Sequence, residues 1–181
     1  TGTQNVAIGA ASLDANTTAS EGTAVGWNSL SSNTTGASNV AVGKSALSSN
    51  TTAGSTVAVG TNSLSANTIG DLNVAIGTNA LGANILGDRA VAVAQNALQA
   101  QAPSSNADTY NVAVGLNAGF SITTGVNNTA LGGYTLATAT TASNNTAVGY
   151  NALILTTGDS NTAVGANALD SNTTGSLNTA V

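Results

Sequence analysis

Cysteine, histidine and methionine are absent from this chain of 181 residues. Without cysteine, the chain forms neither disulfides nor thiolate metal sites. Without histidine, it lacks the commonest general base and the commonest metal ligand. These absences predict a protein that is not an enzyme and that uses no metal or cofactor. The missing initial methionine indicates a processed chain or a segment of a longer protein.

Charged side chains are also scarce, with two basic and seven acidic residues and a formal net charge of −5. So few Lys and Arg cannot neutralise a run of phosphates, which argues against nucleic acid and anionic lipid as partners. No run of 18 apolar residues is present, so we expect no membrane insertion by this segment. The apolar fraction of 41% argues against disorder.

A glycine that follows Ala and an aliphatic residue recurs every 17 residues along most of the chain and marks an internal repeat. Ala94 takes the place of this glycine once, and one step of 21 residues and one of 16 depart from the period. Ten repeats with the consensus N-[VT]-A-V-G-x-N-A-L-x-x-N-T-T-G-x-x run from residue 5 to residue 177. This period is too short for a helix pair, and short β-rich segments alternate with Gly and Asn-Thr-Thr-Gly turns. The pattern predicts an all-β fold, a parallel β-solenoid (β-roll) of about ten 17-residue coils, each with two strands and two turns. Coils stacked ~4.8 Å apart would form a rod of roughly 48 Å.

Three positions of the repeat carry the predicted core. Position three is Ala in every copy, position four is Val, Ile or Leu, and position nine is Leu in nine of the ten copies. At the exception, Gly119, we expect Phe120 to fill the space. The predicted core ladder comprises Ala7, Ile8, Leu13, Val25, Leu30, Val42, Leu47, Val59, Leu64, Ile76, Leu81, Val114, Val148, Leu153, Val164 and Leu169.

The other positions predict turns, ladders and surface. Gly at position five suits a corner with positive φ. Asn at positions one and seven is expected to form amide ladders between coils. Position six accepts Trp27, Lys44 and Gly133, so it should face solvent. The invariant Ala indicates a place where a larger side chain would clash, either inside the coil or against a neighbouring chain.

One insertion divides the repeats into residues 1–94, a first solenoid block, and residues 111–181, a second block of the same continuous domain. Residues 95–110 include the only proline, Pro103, and are expected to form a loop. The favoured interpretation is a tolerated surface insertion, and the alternative is a binding loop. Asp71 and Asp88 share one position in neighbouring repeats, where solubilising turn residues are favoured over calcium ligands.

Several surface features suggest binding or modification. Thr pairs recur in the second turn, as an ice-binding face would require, although turn chemistry also explains them. Exposed aromatic residues such as Trp27 and Tyr150 can stack on sugars. The sequence N-x-[ST] gives six candidate glycosylation sites, which chance also produces in an Asn- and Thr-rich repeat. These sites are Asn16, Asn33, Asn50, Asn127, Asn144 and Asn172.

The N-x-A-[VI]-G-x-x-[AS]-L units resemble the head repeats of YadA-like trimeric autotransporter adhesins. They resemble still more the NTAVGYNAL…NTTG arrays of bacterial surface proteins and phage tail-fibre-type proteins. The resemblance covers almost the whole chain, although the period is longer than in the adhesin heads. It implies a left-handed roll, a location outside the cell, on the cell surface or on a virion tail fibre, and an adhesive or structural role.

We therefore predict a structural or adhesive repeat module of an extracellular fibre. Its expected partners are copies of itself and a host-surface glycan or protein. Two assemblies remain open: a homotrimer packed laterally on the invariant Ala strand, and a filament stacked end to end through unpaired strand edges. The alternative function is a carbohydrate- or ice-binding β-solenoid.

Overall fold

The chain is a stack of coils that each add one short strand to a single parallel sheet. The computed structural model describes residues 2–181, and no helix occurs among them. Eleven strands follow one another in chain order, and a separate pair forms a second sheet. The prediction of a parallel β-solenoid of about ten 17-residue coils is therefore confirmed. The strands are β1 (Val6–Ile8), β2 (Thr23–Val25), β3 (Val40–Val42), β4 (Val57–Val59), β5 (Val74–Ile76), β6 (Gly87–Asp88), β7 (Val91–Val93), β8 (Ala107–Asp108), β9 (Val112–Val114), β10 (Thr129–Leu131), β11 (Thr146–Val148), β12 (Thr162–Val164) and β13 (Thr179–Ala180).

Equivalent positions of neighbouring coils lie directly over one another. In the pairing of β4 with β5, for example, Ala58 is opposite Ala75. Outside the strand, the coil is built from turns, so the prediction of two strands per coil is wrong for most coils. The reason is backbone conformation, because left-handed residues recur at positions five, seven, nine and seventeen. In one coil these are Gly60 (φ 130°), Asn62 (φ 56°), Leu64 (φ 48°) and Leu72 (φ 59°), and such residues cannot continue a strand.

The core consists of Leu and small side chains. Seven Leu side chains of the position-nine column are 0–1% exposed, which confirms that column as core; Leu13 and Leu169, in the first and last coils, are half-buried. The position-three Ala side chains also point inward, and those of coils two to ten are 0–1% exposed. Ala7 is exposed because it lies in the first coil of the stack.

Position four does not belong to the core, and this part of the predicted ladder is wrong. Side chains alternate along a strand, so an inward Ala at position three directs both of its neighbours outward. Ile8 and Ile76 are 60% and 41% exposed. The residues wrongly assigned to the core are Ile8, Val25, Val42, Val59, Ile76, Val114, Val148 and Val164.

A buried column of asparagine completes the core at position twelve. Nδ2 of Asn50 donates to Oδ1 of Asn33 at 2.9 Å, and Nδ2 of Asn67 donates to Oδ1 of Asn50 at 3.2 Å. Each amide also donates to a backbone carbonyl three residues later, as Asn67 does to Gly70 at 3.0 Å. These bonds satisfy buried amides that would otherwise be costly. The Asn-Thr-Thr-Gly pattern predicted a turn at this position and gave no sign of the ladder.

The predicted ladders at positions one and seven are confirmed in part. At position seven, Nδ2 of Asn96 donates to Oδ1 of Asn117 at 3.0 Å. At position one, the amide mainly bonds to backbone instead of to another amide. Oδ1 of Asn39 accepts the N–H of Thr56 at 3.0 Å, while Nδ2 donates to the carbonyl of Ala53 at 2.7 Å. Such an Asn connects the end of its own coil to the start of the next coil.

The insertion does not interrupt the stack. Strand β7 pairs with β5 on one side and with β9 on the other, so the main sheet runs through it. Within residues 95–110, the segment Ala107–Asp108 pairs in parallel with Gly87–Asp88 of the preceding coil. Gln101 takes the position-twelve place and is fully buried; its Nε2 donates to the Thr109 hydroxyl at 3.3 Å. The inserted residues are thus bonded to the preceding coil and to one another.

Ile122, and not Phe120, replaces the missing Leu of the seventh coil. Phe120 is 37% exposed, whereas Ile122 is fully buried at position twelve. A Cβ placed on Gly119 would lie 3.1 Å from Cδ1 of Ile122 and 2.9 Å from Cδ2 of Leu98. The larger residue at position twelve therefore occupies the volume that the smaller one at position nine leaves free.

Candidate functional site

The surface of residues 2–181 offers flat faces instead of a cleft. No pocket opens anywhere on this part of the chain. Within the same range, no group of three acidic side chains comes together in a way that would hold a metal ion. No helix in these residues is long and apolar enough to cross a membrane. Candidate sites are therefore columns of equivalent side chains that run along the rod.

An apolar surface runs along the rod on the outward sheet face, which we define as the side chains of positions two and four. Position four is aliphatic in every coil, and Ile76, Val114 and Val164 in this column are 41%, 39% and 37% exposed. The column comprises Ile8, Val25, Val42, Val59, Ile76, Val93, Val114, Leu131, Val148 and Val164.

Position two forms the other half of this face and is more polar. It carries Val or Thr and no charged residue. The column comprises Val6, Thr23, Val40, Val57, Val74, Val91, Val112, Thr129, Thr146 and Thr162. The two columns stand about 7 Å apart along each strand, and the strands are ~4.8 Å apart, so the face is a strip of on the order of 500 Å². An apolar patch of this size is at the upper end of what monomers usually expose.

The invariant Ala column cannot form a lateral contact between chains. Ala75 and Ala113 are fully buried inside their own coils. The Ala side chains themselves therefore cannot supply the contact of a laterally packed trimer, and the trimer stays a prediction. Of the two explanations for the invariant Ala, the burial supports the clash inside the coil. A neighbouring chain that approaches the sheet would meet positions two and four instead.

Position six faces solvent, as predicted. Trp27 is 54% exposed and Tyr150 is 56% exposed. Nζ of Lys44 lies 5.6 Å from the centroid of the Trp27 ring, a cation–π contact between adjacent coils. Tyr150 packs edge to face against Tyr134, with ring centroids 6.0 Å apart. The Trp27–Lys44 contact and the Tyr134–Tyr150 contact thus lie on different coils, and only the latter joins two aromatic rings.

Acidic residues at position sixteen bond to backbone. Oδ1 of Asp71 accepts the N–H of Gly54 at 2.6 Å, and Oδ1 of Asp88 accepts the N–H of Asp71 at 2.8 Å. Burial raises the pKa of Asp88, and the neighbouring Asp71 and Asp108 carboxylates add to this. Arg89 forms an ion pair with Asp108. These contacts support the interpretation of these acids as turn residues that connect coils.

The Thr pairs divide into a bonded column and an exposed column. The hydroxyl of the first Thr donates to the carbonyl of the equivalent residue in the next coil, as Thr34 does to Thr51 at 3.0 Å. The second Thr, such as Thr35 or Thr52, is exposed. Ile69 and the half-buried Leu86 interrupt this exposed column, so a continuous hydroxyl rank does not extend along the rod.

The six candidate glycosylation sites fall into two structural groups. Four belong to position twelve, where Asn33 and Asn50 are 1% and 0% exposed, and where Asn16 and Asn172 are half-buried. The other two, Asn127 and Asn144, belong to position seventeen and are exposed. The sequence motif is the same in both groups, and only the fold separates them.

No protein-family model, curated protein or solved structure matches this chain.

Proposed function

We propose that this chain is a structural repeat module of an extracellular fibre and that copies of it associate laterally through the outward sheet face. The observation that carries the proposal is an aliphatic side chain at position four of all ten coils. Position six is also exposed, but it accepts Trp27, Lys44 and Gly133. An exposed position that tolerates any residue contrasts with one that stays apolar, and a second chain packed on the face would explain the difference.

A second copy of this chain is the occupant that best fits the face. Side chains in both copies repeat at the same ~4.8 Å spacing, so the ridges of one face can lie in the grooves of the other. The strip would bury about 1,000 Å² in a two-chain contact, which is at the lower limit for a specific interface. Neither column carries a charge that would oppose the contact.

Sedimentation velocity of the purified chain over a range of concentrations tests the proposal. We expect an oligomer in the wild type and a monomer in the variant Ile76→Lys. An ammonium group in the middle of the face would have to be buried without a partner, which weakens association by more than about tenfold. Val114→Lys should act in the same way two coils along.

The matched control is Ile69→Lys, because Ile69 is 38% exposed, much like Ile76 at 41%, but lies at position fourteen on another face. It should leave the oligomer intact. A wild type that stays monomeric at high concentration would overturn the proposal. Equal loss of the oligomer in Ile69→Lys and Ile76→Lys would show that added charge in general, and not the outward sheet face, controls assembly.

A second candidate function is carbohydrate binding at Tyr150. Its ring lies beside the backbone of Gly133, where a Cβ would be 3.7 Å from Cδ2 of Tyr150, and Tyr134 supports it edge to face. An exposed, braced ring is suited to stacking on a sugar. Glycan retention by the wild type and by Tyr110→Ala, but not by Tyr150→Ala, would support this candidate. A wild type that retains no glycan would exclude it.

A further inference from the structure

Asn127 and Asn144 differ from the other Asn-x-Ser/Thr sites in the position of their side-chain nitrogen. Both lie at the last position of a coil in the left-handed conformation, with φ of 58° and 60°, and both side chains are exposed. Nδ2 of Asn127 donates to Oδ1 of Asn144 at 3.3 Å. Among the described residues, no side chain or carbonyl accepts a hydrogen bond from Nδ2 of Asn144. This nitrogen is open to solvent and to modification.

The required hydroxyl residues are also on the surface side of the coil. Thr129 and Thr146 stand two residues after the respective asparagines, at position two of the repeat, where they begin strands β10 and β11. That column belongs to the outward sheet face, and both threonines are partly exposed. The intervening residues Asn128 and Asn145 point inward and are 1% and 0% exposed. Acceptor nitrogen and hydroxyl therefore lie on the accessible side of one short segment.

A glycan on the fully buried position-twelve residues Asn33 and Asn50 is incompatible with the folded coil. A glycan is attached through Nδ2, and Nδ2 of Asn50 lies inside the stack, where it donates to Asn33 and to the carbonyl of Ala53 at 3.0 Å. Nδ2 of Asn33 donates to the buried carbonyl of Gly36 at 2.9 Å. A sugar on either nitrogen would have to occupy the core between coils. A chain modified there before folding could not close the stack.

We infer that Asn127 and Asn144 are N-glycosylation acceptors of this chain and that Asn33 and Asn50 are not. Each acceptor takes an oligosaccharide from a polyprenyl diphosphate donor. In the transfer, a bond forms between Nδ2 and C1 of the first sugar, and the bond between C1 and the diphosphate oxygen breaks. The amide loses one proton and the polyprenyl diphosphate leaves. The two acceptors lie one above the other in adjacent coils. This inference does not depend on the proposed self-association.

Secretion of the whole chain from a eukaryotic cell that performs N-glycosylation tests the inference. The secreted protein is mapped by mass spectrometry before and after enzymatic removal of N-glycans, and circular dichroism confirms its fold. We expect glycans at Asn127 and Asn144 and none at Asn33 or Asn50. Asn127→Gln and Asn144→Gln should each remove one glycan and leave the fold intact, because both side chains are on the surface.

The control is Thr35→Val, which destroys the Asn33 acceptor motif at an exposed residue without touching the buried Asn33 side chain. It should leave the glycan pattern of the secreted protein unchanged. Secreted, folded chains that carry sugar at neither Asn127 nor Asn144 would overturn the inference. A folded chain with sugar on Asn33 or Asn50 would overturn it equally, because the stated burial would then be no barrier.

Discussion

The glycine at position five is the most sensitive point of the stack, and Gly60 in the fourth coil allows the reason to be tested. Its φ is 130°, and a Cβ built on it would lie 2.7 Å from the carbonyl carbon and oxygen of Gly77 in the next coil. Carbon atoms pack best at about 3.5–4.0 Å. Gly60→Ala therefore combines two penalties: an unfavourable backbone conformation and an overlap that pushes two coils apart.

Two further glycines separate these penalties. Gly165 has nearly the same φ, 128°, but the nearest atom to its added Cβ is Cβ of Ala168 at 4.0 Å. Gly133 lies at position six of a middle coil without a positive φ, and its Cβ would meet only ordinary contacts at 3.7 Å or more. Gly165→Ala should thus show the conformational penalty alone, and Gly133→Ala should show neither.

The magnitudes follow from these environments. Backbone strain of this kind costs about 1–3 kcal/mol, and overpacking adds about 1–3 kcal/mol. We expect Gly60→Ala to lower the free energy of unfolding by about 2–6 kcal/mol and Gly165→Ala by about 1–3 kcal/mol. Gly133→Ala should be neutral or stabilise by up to about 1 kcal/mol, because Ala restricts the unfolded chain.

Urea denaturation followed by circular dichroism measures Gly60→Ala and Gly133→Ala. For Gly165→Ala, in the last described coil, native-state hydrogen exchange of the amides of β12 is the better measurement, because the ends of a repeat stack open before its middle. Equal effects of Gly60→Ala and Gly165→Ala would refute the argument from contact between coils. An unchanged free energy of unfolding in Gly60→Ala would refute both the backbone-strain penalty and the overlap between coils.

Four other predictions follow from single positions. Leu64→Ala should lower the unfolding free energy by about 2–5 kcal/mol in urea titrations, and Leu64→Gly should be no worse, because φ at this residue is 48°. Asn50→Asp should lower the denaturation midpoint strongly at pH 7 and less near pH 4, because an ionised carboxylate cannot donate to the buried carbonyl of Ala53. Ala94→Gly should raise the thermal midpoint, because Ala94 holds the glycine position at φ 107° and loses about 1–3 kcal/mol to strain. The raised pKa of Asp88 means that the folded state binds the carboxyl proton more tightly than the unfolded state. The ionised carboxylate therefore lowers the folding stability above the folded-state pKa, and this cost vanishes as the pH falls toward about 3.9. Asp88→Asn should stabilise the protein at pH 7, and this advantage should disappear over the same pH window in matched thermal scans.

The period, the parallel stacking and the Leu column could be predicted from the sequence because they depend on spacing alone. The orientation of position four could not, because an Ala and a Val in one short strand are both plausible core residues. Apolarity favoured Val25 or Val59 as core. The structure instead buries Ala at position three in one cluster with the Leu column. Alternation along the strand then turns its neighbours outward.

The polar part of the core was hidden by its composition. Asn-Thr-Thr-Gly is a strong turn signal in any sequence, and the turn is indeed there. What the signal does not reveal is that Asn33 and its equivalents point into the stack and bond to one another. The seventh and eighth coils offered a clue, because Ile122 and Ala139 replace Asn at this position and both are fully buried. A position that exchanges Asn for Ile is more consistent with an interior than with a solvated turn.

The two columns of the outward sheet face also differ in a way that folding alone does not explain. Thr is as suitable as Val for a strand, and position two uses it in four coils, at Thr23, Thr129, Thr146 and Thr162. Position four has Val, Ile or Leu in all ten coils and never Thr. If strand formation were the only requirement, the two columns should accept Thr equally. The proposed contact would account for the difference if the second chain packs more closely on position four than on position two. We therefore expect Val59→Thr, which keeps the shape and the strand propensity, to weaken self-association in sedimentation experiments while leaving the denaturation midpoint of the monomer unchanged. The matched change Val57→Thr, at position two of the same strand, should affect association less. A larger loss of association in Val57→Thr than in Val59→Thr would show that position two, and not position four, makes the main contact.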